Sequence, residues 1–254
     1  MISFASCVST VRRSFPAAVL LVLGAQTAIA QPFCSSDGQA GPTALLERFI
    51  SADCDSCWKD PATPAAPPGE MALDWVLPGS KGDDAPLSAV ASLDGLTRLE
   101  ALGDTQPDKV TTSLHVIKKP RQRGSDLRVA HGLALSGYIG VSIELKPSTS
   151  TTAKQPHPPQ QLLTAWLVLV ESVPAGTEGT PVARNLVRNA LQVDWNISSQ
   201  LSKQERARFS ESRVMSVAQG VNPDHLRVIG WVEDAKRRVL TAAQSGCTPQ
   251  SNNG

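Results

Sequence analysis

The chain has 254 residues, 41% of them hydrophobic and 19% charged, and a formal net charge of +1. That balance gives no electrostatic case for a nucleic-acid partner or a membrane surface. Aromatic residues make up only 4%, so stacking platforms are scarce, and the length suits one large domain or two modest ones.

Residues 1–30 read as a targeting segment. Arg12 and Arg13 form a positive n-region, an apolar run follows from Phe15 to Gly24, and Ala28-Ile29-Ala30 offers a small-x-small cleavage site. An ordinary secretory signal is expected, although the Arg pair before Ser14 and Phe15 also has a twin-arginine look. Cleavage there removes two of 24 basic residues and none of 23 acidic ones, so the charge becomes −1. No stretch approaches the roughly 20 apolar residues that span a bilayer. The expectation is an exported protein, periplasmic or secreted, with no membrane contact after cleavage.

After a Gly/Pro/Ser-containing lead-in (31–42), Thr43 to Ser51 predicts a strand buried on both faces of a mixed sheet. A polar loop with Cys54-Asp55-Ser56-Cys57 follows. Strand, loop and Cys-x-x-Cys is the order in which a thioredoxin-like fold presents its redox cysteines. Four cysteines remain beyond the signal: Cys34, Cys54, Cys57 and Cys247. Three pairings are possible. Cys54–Cys57 is the local one and leaves Cys34–Cys247, which ties the two ends of the mature chain. Zinc is the rival reading, but one Cys-x-x-Cys without a second pair is poor support for it. Neither a metal nor a cofactor is expected.

A thioredoxin site uses a long helix after the first Cys, whose amides and dipole stabilise the thiolate. Here Pro61, Pro64, Pro67 and Pro68 limit any helix to one or two turns. Met71 to Leu77 predicts a second strand, and Leu87 to Leu102 has helical apolar spacing ending at Gly103. Val110 to Ile117 predicts a third strand before a basic turn at 118–124. From Leu127 the texture becomes β-rich. Paired strands at 127–136 and 138–145 meet at Gly137, and a Thr/Ser/Pro/Gln loop follows at 146–160. Further strands are expected at 162–173, 181–193, 213–219, 226–234 and 239–243, with a charged, mobile stretch at 204–213. We therefore expect an α/β plus all-β chain. Its first unit, residues 31–124, is a modified thioredoxin-like fold, and its second, 125–254, is an antiparallel β-rich, sandwich-like unit.

The stretch from Leu46 to Cys57 resembles the Cys loop of the uncharacterised secreted thioredoxin-like proteins of Gram-negative bacteria. Val110 to Ile117 is similar to that family's Val-Tyr-Thr-Pro-Gln segment, and Pro181 to Asn189 to its late Val-Val-Arg strand. The resemblance implies a thioredoxin-like half followed by a β-rich half outside the cytoplasm, and it implies no substrate. Three features depart from the family: Trp58-Lys59 replaces Pro-Pro, the Pro-rich run replaces the helix, and Ser113 stands where the family has proline.

Cys54 and Cys57 are the candidate catalytic pair, Cys54 attacking and Cys57 resolving a mixed disulfide with a periplasmic protein thiol or disulfide. Asp53 and Asp55 oppose this by raising thiol pKa values. Trp58 and Ser113 are candidate substrate-binding residues, and Trp58 is equally a cover for the disulfide. His115 is a further candidate near the sulfurs, with a hydrogen-bonded core role as the alternative. Asn185 and Arg188 are candidates through the resemblance, Arg188 equally as an ion-pair residue. No Gly-x-Ser-x-Gly elbow supports a hydrolase. Two functions stay open: thiol–disulfide exchange, or a non-catalytic binding or scaffold module with permanent disulfides.

Overall fold

The computed structural model describes residues 34–117, 127–146, 161–197 and 209–247. The targeting segment, the basic turn at 118–124, most of the 146–160 loop and the start of the charged 204–213 stretch lie outside them. Among the described residues there are eleven strands and two α-helices. The strands are β1 (Cys34–Ser35), β2 (Ala44–Ser51), β3 (Glu70–Leu77), β4 (Val110–Val116), β5 (Leu127–Leu135), β6 (Tyr138–Leu145), β7 (Gln161–Val173), β8 (Arg184–Ile197), β9 (Phe209–Ser216), β10 (Leu226–Asp234) and β11 (Val239–Gln244). The helices are α1 (Asp55–Trp58) and α2 (Leu93–Leu102).

The strands form two sheets. One has four strands in the order β1-β5-β6-β9, and the other has seven in the order β11-β10-β7-β8-β3-β2-β4. The α/β thioredoxin-like expectation is thereby corrected: the molecule is mostly β, and the strands on either side of residue 124 share the larger sheet. The reason lies in the helices. The Pro-rich run leaves α1 four residues long, and Ser88–Val90 forms only a 3-10 turn before α2. Most strands follow the sequence closely, while β8 begins and ends three to four residues beyond the run expected at 181–193. β2 pairs in parallel with β3 from Ala44↔Glu70 to Ser51↔Leu77, and antiparallel with β4. The 204–213 stretch differs, because β9 already begins at Phe209 and pairs with β6 along its length.

Alternate residues of β7 face opposite cores. Leu163, Ala165, Leu167 and Leu169 pack with Val129, Ile143 and Val228 between the two sheets. Trp166, Val168 and Val170 pack with Phe49, Trp75, Trp231 and Leu99 of α2 on the other face. The period of two in a strand produces this three-layer arrangement directly. Gly230 permits the close approach of the sheets, since a Cβ there would lie 2.6 Å from Val129 Cγ1. The helix α2 starts at Ser92, whose side chain accepts from the Asp94 amide, and ends at left-handed Gly103.

Candidate functional site

The Cys loop grows out of the C-terminal end of β2. The Cys54 amide donates to Ser51 O at 3.0 Å and the Cys57 amide to Cys54 O at 3.1 Å, closing a single turn. Cys54 and Cys57 are bonded, with Cα atoms 5.3 Å apart. The Cys54 residue is only 8% exposed, while Cys57 is half-buried against Ile50, Val76 and Leu186. The residue expected to attack is therefore the better covered of the two.

Asp53 does not point at the sulfurs. Its carboxylate accepts from Ser80 N (2.7 Å), Ser80 Oγ (2.8 Å) and Lys81 N (3.2 Å), and the Ser80 hydroxyl is the main cause holding it below the usual carboxylate range. Gly79 is required beside it, because a Cβ there would lie 2.2 Å from Asp53 Oδ1. Asp55 pairs with Lys59 on the surface.

Trp58 is buried, and its indole N–H donates to Glu178 O at 3.1 Å. Beneath it lies a fully buried ionic network. Asp74 of β3 accepts from Arg48 of β2 (2.8 and 2.7 Å), from Arg184 of β8 (2.7 Å) and from the Asn185 amide (3.2 Å). Arg184 lies 4.5 Å from the Trp58 ring centre and donates to Trp58 O at 2.8 Å, and Arg48 donates to Pro64 O at 2.8 Å. The turn and the Pro-rich run thus roof the part of the large sheet where these charges sit. A cleft of about 280 Å³ opens beside the roof, lined by Trp58, Lys59, Leu87, Val90, Glu178 and Leu186.

Ser113 and His115 are not part of this site. Ser113 pairs with Glu47 and His115 with Leu45 in the β2–β4 register, well back from the Cys end of β2. His115 Nε2 lies 3.0 Å from Glu47 Oε2 and 3.2 Å from Ser113 Oγ. One nitrogen meets both partners, so no relay of acid, imidazole and hydroxyl exists. Glu47 belongs to a second buried network on the α2 face. Arg98 bridges Glu47 (2.6 Å) and Glu233 (2.7 Å) and stands over Trp166 and Trp231 at 4.9 and 5.1 Å. Burial raises the Glu47 pKa, but attraction to Arg98 and the hydrogen bonds from His115 and Arg98 outweigh it and bring the carboxyl to about 2. Arg188 pairs with Glu171 on the neighbouring strand, and Asn185 donates to Ala72 O at 2.8 Å.

Sequence reasoning missed both networks. Their signal was Glu47-Arg48 in the middle of a strand predicted to be buried on both faces, which demands partners. No family model matches the chain, and no curated protein matches it. Two disulfides place the chain in an oxidising compartment, and among the described residues no helix is long and apolar enough to cross a membrane.

Proposed function

We propose that the protein is an exported, non-catalytic binding or scaffold module in which Cys54–Cys57 is a structural clip. The burial of Cys54 carries this reading: a thiolate attack needs an accessible sulfur, and the expected nucleophile is 8% exposed. The four-residue α1 supports it. So short a helix supplies little dipole to stabilise a thiolate, and Asp55 occupies its first turn. The clip holds Trp58 as a lid over Arg184 and Asp74, and the cleft beside Trp58 is the natural place for a ligand with both apolar and polar groups.

The test is a trapping experiment. In the Cys57→Ala variant, a nucleophilic Cys54 accumulates mixed disulfides with an added unfolded protein carrying a disulfide, whereas a structural Cys54 does not. We expect no adduct above that of a Cys54→Ala/Cys57→Ala control. Stoichiometric adducts near neutral pH restore the exchange reading, which otherwise draws only on the Cys-x-x-Cys spacing.

A further inference from the structure

The second disulfide sits in a different chemical setting. Cys34 opens β1 and lies directly opposite His131 of β5 in the antiparallel register. Cys247 is held next to Cys34 by a β-bridge between Ser35 and Gly246, with paired amide bonds of 3.1 and 2.9 Å. A ring nitrogen of His131 and the two sulfurs lie within 4.8 Å of one another.

His131 is prepared as a ligand. It is 5% exposed, and its Nδ1 lies 2.8 Å from Gly132 O. A carbonyl only accepts, so Nδ1 carries the proton and Nε2 the lone pair. That Nε2 is buried and has no hydrogen-bond partner among the described residues. A buried polar atom left unpaired is costly and needs a reason. A backbone carbonyl on Nδ1–H is the usual way a metal-binding histidine is fixed in orientation and tautomer. A register shift in β5 immediately after His131 breaks the ladder at this point.

We propose that reduction of Cys34–Cys247 converts this junction into a Cys₂His site for a zinc-type divalent ion. The reductant is a dithiol. One of its thiolates attacks Sγ of the exposed Cys247, the sulfur–sulfur bond breaks, and its electron pair passes to Cys34 Sγ, which takes up a proton. The second thiolate of the reductant resolves the mixed disulfide, releases Cys247, whose sulfur takes up a proton in turn, and leaves as a cyclic disulfide. The metal ion then binds both sulfurs with release of two protons, His131 contributes a lone pair, and water completes four-coordination on the Cys247 side. Zn–S bonds of about 2.3 Å need sulfurs about 3.8 Å apart, and the exposed Cys247 leaves room for that separation. The two thiolates offset the ion's charge beside Arg227, which acts electrostatically on His131. Metal and disulfide are then alternative ties between the same two ends of the fold.

The experiment uses the full chain with Cys54→Ser/Cys57→Ser, which removes the other sulfur pair. It is reduced with a phosphine, so no thiol competes, and titrated with zinc against a chromophoric chelator and with cobalt(II) followed by its visible spectrum. We expect one ion per chain, tetrahedral thiolate–cobalt bands, and affinity weakened at least about tenfold in both His131→Ala and Cys247→Ser. The oxidised chain binds no ion at this site. Equal affinity in reduced and oxidised chains, or no change in the His131→Ala variant, overturns the proposal. A reduced chain that neither refolds with zinc nor binds it does so as well.

Discussion

Asp74 carries the charge balance of one whole region. Its two oxygens take four donors, from Arg48, Arg184 and Asn185, with no exposure to water. An Asp74→Ala substitution leaves two buried guanidinium groups without a counter-ion, and we expect a loss of about 3–5 kcal/mol in urea unfolding. Arg184→Lys keeps the charge but loses the fork and the flat contact with Trp58, so it should still destabilise by about 1–2 kcal/mol. Glu47 gives a pH signature. Its folded pKa is depressed to about 2, so the stability it contributes is complete above its unfolded pKa of about 4.3 and is lost as pH falls towards 2. Acid unfolding followed by near-ultraviolet circular dichroism should show this limb, since Trp75 and Trp231 adjoin the network through bonds to Glu47 and Glu233. Glu47→Gln should lower stability at neutral pH and flatten the limb.

At the scale of elements, the two disulfides differ in what they constrain. Cys34–Cys247 closes a separation of 213 residues and Cys54–Cys57 one of 3. By chain entropy, removing the first should cost about 5 kcal/mol and the second about 1–2 kcal/mol. Thermal unfolding of the two paired Cys→Ser variants compares them directly. Gly230→Ala in β10 should cost about 1–3 kcal/mol by overpacking, because Val129 and Ile143 of the smaller sheet leave no space for a methyl group. Element positions were largely legible in the sequence. β3, β4, β7, β10 and β11 fall within a residue or so of the apolar runs that predict them. α2 was overdrawn at its start, because Leu87 and Val90 repeat at helical spacing yet pack as a 3-10 turn beneath the Cys loop. β1 was not legible: two residues in a Gly/Pro/Ser lead-in carry no period, and they are held by partners distant in sequence, namely β5, the Ser35–Gly246 bridge and the bond from Cys34 to Cys247.

For the whole molecule, the Cys-x-x-Cys signature suggested a fold that the chain does not adopt. The short-range pattern of strand, loop and two sulfurs is present as read. What it left undetermined was the long-range pairing, in which β8 and the β7–β10–β11 strands extend the same sheet as β2 and β3. The candidate site was half legible. The sulfur pair and Trp58 lie in one cluster with Ile50 and Val76, whereas Ser113 and His115 belong to the Glu47 network. Arg48, Asp74 and Arg184 come from three strands whose spacing in sequence hides their meeting. In the reading proposed above, the Cys54–Cys57 bridge is a clip fastening Trp58 over those charges. Its reduction potential, measured by equilibration with a redox buffer and mapped by alkylation and mass spectrometry, distinguishes a clip from a redox pair. A clip has a value below about −300 mV and no alkylation of Cys54 near neutral pH, whereas a value above about −200 mV with a rapidly alkylated Cys54 would contradict that role.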